Sequence, residues 1–454
     1  MNIDAIAGSI LTPADEGYDE ARQAWLLTVD QRPAAVAHAN DAGDVVGAVR
    51  LAAERGLRVA VQGTGHGAAP LGDLEDTLLL KTMRMTGLEI DPEAGRARAE
   101  AGVLWGDVAA AAGEHGLVAL HGSSPDAGVV GYTLGGGIGW LSRRHGLACN
   151  RVLAAEVVTA SGELLRVSRD EHPDLFWALR GGGGSFAAVT AIEFELLPLA
   201  EVYGGWLVWE AAAGGDVVHA FREWAREAPR EFTSSLRFLH LPPFPDVPEP
   251  LRDRPVIAFD GAYLGSEADA AELLRPLREA APLVMDSFGV MPAAGLVRLH
   301  GDPEQPVPGL GDGSLLSELT PEAADAFVEV GGAGSGSPLL MLELRQLGGA
   351  LREAPADAGA LTSLDAGFCA YGVGIVMGPA AAEAIGAHLV RVREAMAPWA
   401  AGRYLNFAEQ PGSTAECFDE ATFARLREVK ARYDGGNLFR ANHPVEPALR
   451  PAAR

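Results

Sequence analysis

Residues 59–70 read VAVQGTGHGAAP: strand-forming residues, then three glycines with one histidine, His66, between the last two. A tight turn needs only the glycines. The imidazole needs a separate reason, and that reason decides the fold. Just upstream, AAVAHA (34–39) reads as a strand and NDAGDVVGAVRLAAERG (40–56) as a helix. In that helix Val45, Val49 and Ala52 share a face, Asp41 and Asp44 occupy the cap and first turn, and Gly56 stops it. LRVAVQ (57–62) is the next strand. Farther on, 88–102 reads as a hairpin turning at Asp91-Pro92 and Gly95, 104–116 as a short helix, 153–168 as a second hairpin turning at Ser161-Gly162, and 190–198 as a closing strand.

The chain has 454 residues, too many for one hydrophobic core, so two domains are expected. Its composition, 48% hydrophobic and 21% charged, is that of an ordinary globular protein. A formal charge of −25 with no basic stripe argues against nucleic-acid partners. No apolar run reaches membrane-span length, and the start lacks a basic n-region, so a cytoplasmic protein with no membrane contact is expected. Cys149, Cys369 and Cys417 are far apart and the histidines lack metal-site spacing, so neither a disulfide framework nor a protein-held metal is expected.

From residue 203 the pattern changes. GGWLVWE (204–210), SSLRFLH (234–240), PVIAFDGAYLG (255–265), LLMLELRQ (339–346) and FCAYGVGIVM (368–377) read as strands, and 266–281 and 380–397 as helices. Adjacent strands with few crossovers indicate an antiparallel sheet covered by helices on one side. Two proline-rich segments, 242–255 with six prolines and 301–313, read as surface loops framing a pocket mouth.

Glycines cluster at 63–67, 128–139, 181–184 and 435–436. None is followed by the Lys-Ser/Thr of a phosphate-binding P-loop, and 63–67 has the wrong spacing for a dinucleotide fingerprint, with Pro70 inside the would-be helix. Successive bare N–H groups in tight turns still make an anion-binding concavity. Two such loops, 63–67 and 128–139, could grip one dinucleotide from two sides, leaving His66 free for another task.

These segments carry a resemblance. VAVQGTGHG, the stretch 123–163 beginning SSPDAGVVGYTLGGGIG, HPDLFWALRGGGGSFAAVTAIEFEL (172–196), YLNFAEQ (404–410) and the tail 423–447 together resemble the berberine bridge enzyme-like FAD-linked oxidases of the vanillyl-alcohol oxidase and p-cresol methylhydroxylase superfamily. The likeness covers the first two hundred residues or so and the last fifty. It implies an α+β, two-domain p-cresol methylhydroxylase-type fold. Residues 1–200 would form the FAD-binding domain, 201–400 a substrate-binding domain with an antiparallel sheet under helices, and 401–454 a segment returning to the FAD domain. It also implies that His66 bonds through its ring to the flavin 8α-carbon, chemistry suited to a neutral imidazole held between glycines. The flavin-binding residues it implies are Gln62, Gly63, Thr64, Gly65, His66, Gly67, Ser124, Ala127, Gly128, Gly131, Tyr132, Gly135, Gly136, Gly137, Gly139, Val189, Tyr404, Asn406 and Asn442. His443 would stand behind them.

The departures are informative. Where relatives have a C-P-x-x-G stretch and a second flavin bond, this chain has Ser124-Pro125-Asp126-Ala127-Gly128, and a serine hydroxyl is a far weaker nucleophile than a thiolate. One covalent bond is therefore expected. Cys149 reads as a buried small hydrophobe. Tyr132 stands where many relatives have histidine. In the family, the residue before the last glycine of C-P-x-x-G gates oxygen's approach to the flavin, and Ala127 is small enough to leave that approach open. RYLNFAEQ resembles a strand with Tyr404 and Asn406 on one face, Leu405 and Phe407 packing behind, and Tyr404 as the base. A free phenol has a pKa of about 10, so a neighbouring positive charge or donor must favour the phenolate. Arg345 is one candidate neighbour, and the flavin's own environment is the other. Alternation puts Glu343 and Arg345 on one face of their strand and Leu342, Leu344 and Gln346 on the other, without saying which face meets the pocket. The expected activity is oxidation of a small organic metabolite, an alcohol, amine or sugar, as in secondary metabolism, with O2 reduced to peroxide. The alternatives are a dehydrogenase using another acceptor and a flavin-scaffolded non-redox protein.

Overall fold

The computed structural model describes residues 9–241, 249–252 and 254–449. Most of the proline-rich segment 242–255 lies outside these residues.

Besides a short pairing of Leu117–Val118 with Leu197–Pro198, the first region carries two main sheets. In the smaller, Ala35–His38, Thr77–Lys81 and Arg58–Gln62 pair in parallel, with Ile10–Leu11 antiparallel at the edge. The helix Ala42–Arg55 packs against it through Val45, Val49 and Ala52. Asp41 caps that helix by accepting from the Asp44 N–H, and Gly56 ends it in the left-handed conformation. The second sheet orders Leu88–Asp91, Arg96–Glu100, Ala188–Glu195, Val152–Val158 and Leu164–Ser168, all antiparallel. Both expected hairpins are present. The expected helix 104–116 runs only from Trp105 to Gly113.

The second region is one antiparallel sheet. Its order is Leu283–Asp286, Glu201–Glu210, Pro255–Tyr263, Phe232–His240, Met341–Gln346, Phe368–Ile375 and Gly309–Leu316, with Gly289–Pro292 also paired to Glu201–Glu210. The helices Gly214–Glu227, Glu267–Arg278, Pro321–Gly331 and Pro379–Met396 share a core with one face of this sheet, built on Leu207, Trp209, Leu236, Phe259, Leu342 and Leu344. That face alternates with the opposite one, which carries Arg237, Asp260, Glu343 and Arg345. Gly309–Leu316, which begins inside the segment 301–313 expected to be a loop, is an edge strand held by the register Gly313↔Tyr371.

The C-terminal segment returns to the first region. Phe439 bridges to Val59 in parallel, and Arg440 N–H donates to Val59 O. Lys430, fully buried, donates to Ser185 O and Phe439 O and pairs with Asp434 at 2.5 Å. No described helix is long and apolar enough to cross a membrane.

Candidate active site

A deep cleft runs between the glycine loops of the first region and the polar face of the eight-stranded sheet, with about 420 Å³ of space open within it. Its lining includes residues from 61–71, 122–138, 183–189, 300–309, 340–375 and 404–409, closed by 440–443. Widely separated segments therefore build one cavity.

The glycines divide by what a side chain would meet. At Gly63, Gly128, Gly131 and Gly184 an added Cβ would find nothing closer than 3.7 Å, so internal packing does not demand glycine there. All four line the cleft. Bare backbone facing open space fits a dinucleotide pyrophosphate that must come close to N–H groups. Gly136, Gly137 and Gly139, expected among the flavin contacts, do not line the cleft. A Cβ at Gly136 would strike Leu361, at Gly137 Ala148 and Tyr132, and at Gly139 the His121 carbonyl at 1.8 Å. Tertiary packing explains these three. The remaining expected residues, from Gln62 through Val189 to Asn442, all line the cavity.

His66 sits at the cleft wall with Thr64 Oγ1 2.8 Å from its Nδ1. Asn442 Nδ2 donates to Gly67 O at 3.0 Å, so the tail braces the histidine loop. Burial holds His443 down near a pKa of about 4 and hence neutral. Ser124 donates to Asp302 at 2.7 Å, which ties the stretch SPDAG to the second region. The Tyr132 ring is edge-on to Trp105 and lies against Gly122 and Gly137. Cys149 is buried, its thiol pushed up to about 12 by desolvation.

Here the chain resembles an established family on two counts. A model for an FAD binding domain matches residues 33–168, and a model described as berberine and berberine like matches 403–446. An (R)-6-hydroxynicotine oxidase of Paenarthrobacter nicotinovorans is 29% identical across 98% of this chain and 97% of its own. A glucooligosaccharide oxidase of Sarocladium strictum is 31% identical over 59% of this chain and 52% of its own. The crystal structure of 6-hydroxy-D-nicotine oxidase from Arthrobacter nicotinovorans superposes with a TM-score of 0.79 and 26% identity, covering 98% of both chains. The chain carries an FAD binding domain and a berberine-like domain, and the relatives it matches are FAD-linked oxidases. It is an oxidoreductase, and its cofactor is FAD.

The expected catalytic residues converge on the cleft, though not as the strand pattern implied. Leu405–Phe407 is a turn of 3₁₀ helix, entered from Tyr404 in extended backbone. Tyr404 and Asn406 still meet, because the turn brings Asn406 Nδ2 to 3.1 Å from Tyr404 Oη. Phe407 does not pack behind them; its ring tilts against both Tyr404 and Tyr371 and lines the cleft. Gly137 N–H donates to Tyr404 Oη at 2.8 Å. Burial pushes the phenol well above its usual range, and the Gly137 donor works the other way.

Arg345 faces the cleft but is engaged elsewhere. Its Nε donates to Glu343 at 2.8 Å and its guanidinium lies over the Phe407 ring. No hydrogen bond among the described residues joins it to Tyr404. Gln346, on the opposite face, accepts from Ser234 and donates to Ala225 O beneath the helices.

Sequence reading missed the acidic side chains of the cleft as site residues. Asp302, Glu343 and Glu409 line the cleft with His300 and Tyr371. Asp260 accepts from His300 Nδ1 at 2.6 Å, and Tyr371 donates to Glu409 at 2.7 Å. Burial raises the Glu409 carboxyl to about 7. The available signal was charge within apolar strands, as in LELRQ, where a buried ionised pair needs a reason.

Proposed function

We propose that this enzyme oxidises a C–H/X–H unit of a small organic molecule, with dioxygen as the second acceptor and the flavin attached only through His66. In this reading residues 1–200 and 401–454 hold the cofactor and 201–400 receive the substrate. The carrying observation is the single cleft: bare glycine backbone and His66 on one wall, the Tyr404–Asn406 pair and the charged sheet face on the other. When bound, FAD accepts two electrons from the substrate and passes them on.

The chain's own residues set the rest. Gly63, Gly128, Gly131 and Gly184 let the pyrophosphate close on the backbone. Tyr404, with donors from Gly137 and Asn406 on its oxygen, takes the proton that leaves the substrate heteroatom. Asp302 and Glu343 of the substrate half, with Glu409 of the returning segment beside them, stand against one paired arginine, Arg345, an acidic excess that suits a basic amine better than a neutral sugar. The 6-hydroxynicotine oxidase relative fits that preference.

A second reading gives the proton to Glu409. Its carboxyl titrates near neutrality, where a general base is most effective, whereas Tyr404 is held protonated by burial.

The test is a screen of amines, alcohols and oligosaccharides that follows flavin bleaching without air and peroxide release in air. Bleaching with peroxide supports the oxidase; bleaching without peroxide indicates a dehydrogenase; no bleaching by any class defeats the redox reading. On an active substrate, Tyr404→Phe should slow flavin reduction about 10²–10⁴-fold with flavin content unchanged. Near-normal reduction in that variant, with loss in Glu409→Gln, moves the base to Glu409.

A further inference from the structure

His66 is held on three sides. Thr64 Oγ1 lies 2.8 Å from Nδ1. The Trp25 indole stacks on the imidazole, with centroids 3.9 Å apart and planes 17° off parallel. At the remaining edge, Nε2 faces Oδ1 of Asp126 at 3.5 Å. Both of those atoms are buried, and neither has a hydrogen bond among the described residues. Oδ2 of Asp126 accepts the Trp25 indole N–H, so the ring that covers the histidine also holds the carboxylate beside it. Trp25 is itself fixed, its backbone N–H donating to Thr64 O at 2.9 Å.

A carboxylate facing one imidazole nitrogen selects the tautomer with the proton on that nitrogen. The lone pair then lies on Nδ1, where the Thr64 hydroxyl donates to it. A nucleophilic nitrogen is thereby prepared in the cleft wall.

We propose that Asp126 is a positioning residue for covalent attachment of the flavin: it holds His66 with Nδ1 unprotonated and accepts the Nε2 proton as Nδ1 forms its bond, while Trp25 clamps both side chains. This rests on the reading that His66 carries the flavin. The bond formed joins Nδ1 to the flavin 8α-carbon. The bonds broken are one C–H of the 8α-methyl group and Nε2–H. The C–H electron pair and the two protons, one relayed by Asp126, end on the flavin ring as its two-electron-reduced form. Dioxygen then removes two electrons and two protons and leaves as hydrogen peroxide. The alkylated imidazole is neutral and Asp126 is again a carboxylate. The Thr64 hydroxyl must turn aside before the bond forms.

The test compares wild type, Asp126→Asn, Asp126→Glu, Trp25→Phe and His66→Ala, all produced with excess riboflavin. Total FAD is read from the native spectrum, and attached FAD from the colour that stays with acid-precipitated protein. Asp126→Asn should keep its total FAD while attachment slows by about tenfold or more. Incubated in air with its FAD bound non-covalently, it should attach faster as pH rises, because solvent hydroxide replaces the missing acceptor. Asp126→Glu should recover most of the rate, which loss of packing alone would not predict, and Trp25→Phe should fall between. Attachment in Asp126→Asn as fast as wild type, or a flat pH response, overturns the proposal. If Asp126→Asn does not fold, an unchanged rate in Trp25→Phe, or an Asp126→Glu rate far below wild type, overturns it instead. A colourless wild-type pellet, or a coloured one from His66→Ala, removes the His66 reading and this proposal with it.

Discussion

Ala127 has a methyl group where a branched side chain would narrow the cleft, and the bulkier Tyr132 nearby is committed to Trp105 and the glycines behind it. Ala127→Leu should therefore slow reoxidation of photoreduced enzyme in air-saturated buffer. A steric barrier of only about 1.4 kcal/mol is tenfold in rate, and a variant reoxidising at the parent rate would separate oxygen access from this residue. Glu409 makes a prediction in pH. Its carboxyl is raised to about 7, so if it is the base, activity rises with pH through neutrality and Glu409→Gln loses that limb. The stability sign is the reverse. A carboxyl whose folded value lies above the unfolded one of about 4.3 favours the folded state at low pH, and that contribution is lost as pH climbs from there to about 7. Thermal melts of wild type across this window should fall relative to Glu409→Gln, whose melts lack this contribution.

The strand Met341–Gln346 shows how one element serves two purposes. Leu342 and Leu344 enter the helix-covered core, while Glu343 and Arg345 form a buried pair on the cleft side. Breaking such a pair strands a charge, at a cost of about 3–5 kcal/mol, whereas replacing both partners with apolar residues is often neutral. Arg345→Met should thus lower the unfolding midpoint in denaturant sharply, and Glu343→Leu with Arg345→Met should recover most of the loss. A single variant as stable as wild type would show that the pair has little structural role. Alternation made the two faces legible in LELRQ, but only the helices packed on one side showed which face was inward. The segment RYLNFAEQ was misleading for the opposite reason. Its pattern fits a strand, yet no neighbour offers Leu405–Phe407 a ladder, and the backbone closes locally into a 3₁₀ turn. Gly309–Leu316 differs again: glycine-rich and unpromising by propensity, it becomes a strand because Phe368–Ile375 presents an open edge.

At the scale of the whole molecule, the cofactor cleft is assembled from the start, the middle and the end of the chain, so flavin binding and folding are linked. In wild type with attached FAD, the unfolding temperature should not depend on added FAD. In His66→Ala it should rise with FAD, since a free ligand at about a hundredfold over its Kd adds about 2.7 kcal/mol. A His66→Ala Tm indifferent to FAD would mean the cleft does not bind the cofactor tightly without the bond. What the sequence by itself determined was local and dense in special residues: the capped helix 42–55, the two hairpins, the bare glycine loops and the histidine among them. Each follows from backbone freedom, capping or periodicity within a few residues. The family likeness in those same segments also named FAD. What only the tertiary structure decided was everything that depends on a partner far along the chain. Gly136, Gly137 and Gly139 serve packing because Leu361, Ala148 and His121 crowd them. Arg345 is tied to Glu343 and lies beside no phenol. Glu409 titrates near neutrality because burial raises its carboxyl against the lowering hydrogen bond from Tyr371, and Asp126 faces His66 because Trp25 holds it there. Burial and charge pairing are properties of neighbours in space, and sequence distance does not carry them.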